Sequence, residues 1–163
     1  MIIRPAVPAD VPAIAAIIMP TIREGSTYSC DPGMSEDEAL AMWFAPDKQV
    51  FAAQEEEKGE ILGTYYLRAN QGGGGGHVCN CGYMTRADAA GRGIARQMCE
   101  HSIHRARASG YRAMQFNFVV STNERAVRLW TSLGFEIVGG LPEAFRLPSG
   151  EYVDAFVMYR KLV

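Results

Sequence analysis

The sequence predicts an α/β chain of the α+β kind: a mixed, mostly antiparallel sheet of six to seven strands flanked by helices. Two observations carry that prediction. The first half holds two β-rich apolar runs joined by a polar turn, the pattern of a hairpin. The second half alternates strand, helix, strand, helix, strand at spacings that require crossover connections and a partly parallel sheet. With 163 residues and no internal repeat or composition break, residues 1–163 read as one domain large enough to bury a core.

Residues 2–6 form a short strand with Pro5 at its edge or end. Asp10 stands where a helix N-cap belongs, with Pro12 in the first turn. Val11, Ile14, Ala15, Ile17 and Ile18 then give the apolar stripe of a helix that ends near Pro20 or shortly after. A loop covers residues 24–29. Ser35, with Glu38 three residues on, makes a capping box for a second helix carrying Ala39, Leu40, Met42 and Trp43. The hairpin strands are residues 49–54 and 61–68, around the polar turn 55–60. The glycine run from Gly72 to Gly76 is expected to hold neither strand nor helix and to form a mobile tip before a strand at 77–85. Next come a helix over 93–108 (Ala95, Met98, Cys99, Ile103 and Ala106 inward), a strand over 113–120 and a helix over 123–133. Strands at 135–138 and 152–159 close the sheet.

Charge and cysteine usage narrow the function. The net charge is −2, yet residues 86–128 hold eight arginines against Asp88, Glu100 and Glu124, while residues 36–60 are strongly acidic. A basic segment inside a mildly acidic chain suggests a local polyanion site rather than a nucleic-acid surface. Phe116 and Phe118 alternate on a strand and read as core rather than base-stacking platforms. No apolar run reaches the ~20 residues of a membrane span, and Met1 to Pro5 carries no leader signature, so no membrane partner is expected and the expected location is cytoplasmic. Cys30, Cys79, Cys81 and Cys99 read as reduced, packed thiols, and no Cys/His set has zinc spacing. His101 and His104 fall on the polar side of their helix. No Gly-x-Ser-x-Gly elbow is present.

The chemistry concentrates in Tyr83-Met84-Thr85-Arg86-Ala87-Asp88-Ala89-Ala90-Gly91-Arg92-Gly93-Ile94-Ala95. Here a strand runs through a short loop into a helix whose first turn is Gly-x-Gly-x-Ala. The opening amides of a helix lack internal partners and sit at the positive end of its dipole, so glycines there expose a site for a diphosphate. A plain turn is the alternative reading. A dinucleotide fingerprint is excluded by Arg96 in place of the third small residue, and a P-loop by the lack of any Gly-Lys-Ser/Thr.

About thirty residues further on, Asn123-Glu124-Arg125-Ala126-Val127-Arg128-Leu129-Trp130-Thr131-Ser132-Leu133-Gly134-Phe135 resembles the Asn-x-x-Ala-x-x-Leu-Tyr-x-x-x-Gly-Phe pattern of the GCN5-related N-acetyltransferase (GNAT) family. Together the two motifs make the chain similar to that family over its whole order of elements, which implies the acyl-CoA N-acyltransferase fold. The resemblance further implies acetyl-CoA as co-substrate, no metal, and a small-molecule primary amine, amino-acid-like in one version, as acceptor. Main-chain groups of Met84 and Thr85 would hold the pantetheine arm where two parallel strands splay. Gly91, Arg92, Gly93, Ile94 and Ala95 would cradle the pyrophosphate. Asn123 would bond the arm while also serving as N-cap, in the motif that includes Ala126 and Trp130. Arg92, Arg96 and Arg125 compete for the 3′-phosphate.

Two departures stand out: Ala90 replaces the signature's Gln/Arg, and Trp130 replaces a tyrosine that in many relatives donates a proton to the leaving thiolate. An indole has no usable proton at neutral pH. Candidates for a base are Tyr83, Glu24 and Asp154, with none preferred. The tail Ala144-Phe145-Arg146 to Tyr152-Val153-Asp154 faintly resembles phosphinothricin-type relatives. Alternatives of other kinds are a non-catalytic acetyl-CoA-binding module and a protein N-terminal acetyltransferase. Family habit adds a homodimer through the last strands.

Overall fold

The computed structural model describes all 163 residues. Seven strands lie in one sheet: β1 (Ile2–Pro5), β2 (Gln49–Gln54), β3 (Ile61–Ala69), β4 (Val78–Thr85), β5 (Ala113–Val120), β6 (Glu136–Arg146) and β7 (Tyr152–Lys161). Their spatial order is β1-β2-β3-β4-β5-β7-β6, antiparallel throughout except for the β4–β5 pair. Helices α1 (Val11–Glu24) and α2 (Glu36–Trp43) cover one face, and α3 (Ile94–Ala108) and α4 (Glu124–Ser132) the other. No helix is long and apolar enough to cross a membrane.

Each face buries its own apolar cluster. On the α1–α2 side, Ile14, Ile18 and Ile22 of the α1 stripe meet Ala52, Ile61 and Met84, with Trp43 at the centre. The Trp43 indole N–H donates to Thr64 Oγ1 at 3.1 Å, and that hydroxyl donates to the Phe51 carbonyl at 2.9 Å. The buried polar atoms are thereby satisfied, as a dry interior requires. On the other face, Ile94, Met98, Cys99, Ile103 and Ala106 of α3 pack on Leu62, Tyr65, Leu67 and Met114. Close approach of α3 depends on Gly63, where a Cβ would meet the Met98 and Ile94 side chains at 2.9–3.0 Å.

The structure refines one local expectation and corrects three. Asp10 is the N-cap residue of α1, as its position suggests, but its side chain makes no capping bond to the helix. It ends a 3₁₀ turn (Pro8–Asp10), and its carboxylate accepts two bonds from the Arg4 guanidinium at 2.7 and 2.9 Å and one from the Val7 N–H. The Arg4 hydrogen bond is the main reason its pKa is lowered. The glycine run does hold structure, a single 3₁₀ turn over Gly73–Gly75. His101 is half-buried rather than on a polar face, with Nδ1 2.7 Å from the Tyr65 hydroxyl. Burial lowers the His101 pKa and raises that of Tyr65, so the imidazole and the phenol share this hydrogen bond as neutral groups. Finally, β6 runs to Arg146 instead of stopping at 138, because residues 142–144 loop out as a bulge and pairing resumes at Phe145↔Val153.

Candidate active site

β4 and β5 are eight residues each, yet they pair only at Val78↔Ala113 and Cys79↔Met114. Beyond that point they diverge. Asn80 sits at the fork, where its Nδ2 donates to the Gln115 carbonyl at 3.0 Å, replacing the next rung of the ladder. The opening is the floor of a groove of about 740 Å³ that runs from β3 across β4 to α3 and α4.

Main-chain direction along β4 follows from its pairing with β3. Arg86 N–H bonds Leu62 O and Asn70 N–H bonds Val78 O, so the even-numbered residues face β3. Main-chain groups of Cys81, Tyr83 and Thr85 therefore point into the fork, and those of Met84 turn toward Thr64. Tyr83 and Thr85, rather than Met84, turn their main-chain groups toward the fork, and Met84 lines the groove with its side chain. The Tyr28 hydroxyl donates to the Tyr83 carbonyl at 2.9 Å, tying the loop after α1 to the fork.

At the far end of β4 the groove meets the start of α3. Gly91 and Gly93 have φ of +85° and +78°, a left-handed conformation that places the following amides outward. No side chain caps α3, and the amides of Ile94, Ala95 and Arg96 have no main-chain acceptor. A Cβ on Gly93 would meet nothing within 4 Å, so open space lies before these donors. Gly91, Gly93, Ile94 and Ala95 all line the groove. Arg92 does not; its guanidinium is held by Glu55 on the outer side. Arg96 and Arg125 line this end. Arg96 donates to Ser132 Oγ at 2.8 Å, whereas the exposed Arg125 has no acidic partner and reaches to 4.0 Å of the Cβ position of Gly91.

α4 forms the opposite wall. Asn123 is its N-cap, Oδ1 accepting from the Ala126 N–H at 3.3 Å, and its Nδ2 has no protein acceptor. Ala126 and Trp130 line the groove one and two turns on. The Trp130 indole is packed against Tyr83 and Phe116 at ring-centroid distances of 5.1 Å each.

The structure does not gather the three base candidates. Glu24 is exposed at the last turn of α1 and lies off the groove. Asp154 is exposed on β7, where its carboxylate accepts the Glu143 N–H at 2.9 Å and pins the β6 bulge. Tyr83 lines the groove, but its hydroxyl pairs with Ser102 Oγ at 2.7 Å and burial raises its pKa well above the ordinary phenol value. No aspartate or glutamate is among the groove's lining residues. The four cysteines are free thiols, and no group of three His, Cys, Asp or Glu side chains is arranged to hold a metal ion.

Sequence reasoning passed over Tyr28, Tyr66 and Arg68, which line the β3 end of the groove. Tyr66 and Arg68 lie on the face of β3 that pairs with Gly82 and Asn80 of β4. Their only sequence signal was polar or aromatic residues alternating on a strand, which is common. Asn117, also in the lining, donates to Asn70 Oδ1 and accepts from Gln115, extending the polar floor begun by Asn80.

A sheet forked between parallel strands, with unpaired helix amides at one end and a polar floor at the other, defines a site for a long anionic carrier laid along β4. Comparison with known proteins agrees with that class. Residues 18–135 match the model of the Acetyltransferase (GNAT) family. The chain is 30% identical over 151 residues to an N-acetyltransferase of Schizosaccharomyces pombe, covering 83% of this chain and 72% of that one. A GCN5-related N-acetyltransferase from Kribbella flavida superposes with a TM-score of 0.92 at 39% identity, over 98% of this chain and 96% of the other. A phosphinothricin acetyltransferase from Sinorhizobium meliloti in complex with acetyl-CoA shares the fold, with a TM-score of 0.85 at 22% identity over 98% of this chain and 87% of its own. The chain belongs to the GNAT family and is an acetyl-CoA-dependent N-acetyltransferase.

Proposed function

We propose that the protein transfers the acetyl group of acetyl-CoA to the primary amine of a small, amino-acid-like acceptor by direct attack, with no covalent enzyme intermediate. The observation that carries this reading is the β4–β5 fork opening onto the uncapped, glycine-led start of α3. The amides of Ile94, Ala95 and Arg96, turned out by Gly91 and Gly93, would hold the diphosphate. Arg125 is the arginine best placed for the remaining phosphate, because Arg92 is engaged by Glu55. Main-chain groups of Thr85 and the Asn123 amide would take the pantetheine arm, and Ala126 and Trp130 would pack along it.

At the fork, the Tyr83 N–H points to where the thioester oxygen would lie and would stabilise its developing negative charge. An amine of pKa near 10 loses its proton at a cost of about 4 kcal/mol at pH 7. With no carboxylate lining the groove, water takes that proton. Thiolate departs without an acid, since a thiol near pKa 8.5 is a far better leaving group than the amine. Trp130 then serves as a packed wall of the arm's channel. Free cysteines fit a cytoplasmic location. A homodimer through β6 and β7 would cover Ile137, Val138, Leu141 and Tyr152, which stand exposed.

Release of coenzyme A thiol, followed with acetyl-CoA and a panel of primary amines, tests the reading. Turnover with at least one small amine is expected. Acetylation confined to protein N-termini, or acetyl-CoA binding without turnover on any amine, would overturn it.

A further inference from the structure

The β3 end of the groove holds a cation, Arg68, with no acid among the lining residues to neutralise it. Arg68 stands on β3 directly opposite Asn80, at the root of the fork. Its Nη1 reaches Asp47 at 3.2 Å, but Asp47 lies outside the groove and its side chain is 59% exposed, so that pair is weak. Its Nε is the one buried side-chain nitrogen or oxygen in the protein that lacks a hydrogen-bond partner. Buried donors are almost always satisfied, and a lone exception lining a cavity calls for a missing acceptor. No aspartate or glutamate lines the groove to supply one.

On the basis of the acetyl-transfer reading above, we infer that the acceptor brings its own carboxylate, and that Arg68 reads it. The remaining Nη donors can meet a carboxylate from the groove, and a small turn of the side chain would bring the now shielded Nε alongside them as the side-on fork that matches one. The carrier's own phosphates are not the missing anion. Asn80 marks the Arg68 end of β4 and Thr85 the α3 end, five residues apart, or about 17 Å at strand rise. Arg96 and Arg125 serve that other end.

The neighbours of Arg68 set the rest of the acceptor. Asn80 spends its Nδ2 on Gln115, leaving Oδ1 as an acceptor without a protein partner beside the fork, suited to an amine N–H. Tyr66 lies flat across Gly82, where a Cβ would meet its ring at 2.6 Å, and narrows the space next to Arg68. A small α-amino acid fits: carboxylate on Arg68, amine toward Asn80 and the fork. In the reaction the amine nitrogen forms the new C–N bond to the acetyl carbon, the C–S bond breaks, the electron pair leaves on sulfur, and the amine proton goes to water. Arg68 bonds the carboxylate throughout and exchanges no proton.

The test compares acceptors in matched pairs, each standard L-amino acid against its α-carboxamide, by coenzyme A thiol release. The unsubstituted protein should prefer the carboxylate member of the productive pair by about 100-fold in kcat/KM, carried by KM. Arg68→Gln should remove that preference with kcat within a few-fold, and Arg68→Lys, which keeps the charge but not the fork, should restore part of it. Asp47→Asn should leave it intact. Acetyl-CoA affinity by calorimetry should stay within twofold in all three variants, which also reports that they fold. Preference for carboxamides, a preference that survives Arg68→Gln, or turnover only with amines lacking a carboxylate would overturn the inference while leaving acetyl transfer standing. Absence of acetyl-CoA binding would instead remove the underlying reading.

Discussion

The two ends of the groove are built by different means. At the α3 end the donors are main-chain amides, exposed by two left-handed glycines adjacent in sequence to the helix they open. At the β3 end the groups are side chains from four separate segments: Tyr28 after α1, Tyr66 and Arg68 on β3, Asn80 on β4 and Asn117 on β5. A main-chain site needs only local conformation, so a short motif writes it. A side-chain site needs register between distant strands, so no motif does. The first end suits a constant carrier and the second a chosen acceptor.

The sharpest way to break this division is Gly93→Val. A β-branched residue at φ +78° is strained and would tilt the α3 amides. Acetyl-CoA affinity should fall about 100-fold, or about 2.7 kcal/mol, by calorimetry. Unchanged affinity in a folded variant would show that the glycine turn is not the grip.

Tyr28→Phe probes the other end. It strands the Tyr83 carbonyl, costing about 1–3 kcal/mol of stability in urea unfolding. It should cut kcat/KM for the acceptor about tenfold while acetyl-CoA affinity holds within twofold. A loss shared equally by both ligands would erase the contrast between the ends.

Asn123→Ala removes an N-cap and a free amide together. It should destabilise by about 1 kcal/mol and weaken acetyl-CoA binding about fivefold in the same titration. A stability loss with unaltered binding would leave Asn123 a cap alone.

Trp130→Tyr offers a hydroxyl where the indole packs on Tyr83 and Phe116. Since thiolate departs unaided in the proposed reaction, kcat should change by less than about threefold. A rise well beyond that would show that proton delivery limits turnover.

The smallest effect lies outside the groove. Burial, with help from Arg105 and His104, lowers the folded pKa of His101 from 6.5, so the folded chain resists the proton that the unfolded chain accepts. This contribution to stability is complete above pH 6.5 and declines as pH falls below it toward the folded value. Urea midpoints measured from pH 7.5 to 5 should show that decline, reduced in His101→Gln. A slope unchanged by the substitution would assign it to other groups.

What the sequence disclosed follows the same division. The Ser35–Glu38 capping box, the hairpin around residues 55–60 and the helix starting at Gly93 were legible because each is set by residues within one turn or one loop. The N-cap position of Asp10 was legible, but its side-chain partner, Arg4, was not, because it lies on a strand that only tertiary packing brings near. The extension of β6 was hidden by Gly139, Gly140 and Pro142, which look like a stop until a bulge pinned by Asp154 absorbs them. Arg68 carried no signal until the register placed it opposite Asn80 at the fork. The family resemblance rested on the carrier's end of the groove; it implied a class of acceptor but none of the residues at the acceptor's end.

The most direct test of the main-chain grip is a paired titration of acetyl-CoA and S-acetylpantetheine, which keeps the thioester and arm but lacks the diphosphate and nucleotide. If the α3 amides hold the diphosphate, S-acetylpantetheine should bind at least about 100-fold more weakly, and Gly93→Val should close most of that gap. Equal affinity of the two thioesters for the unsubstituted protein would contradict it.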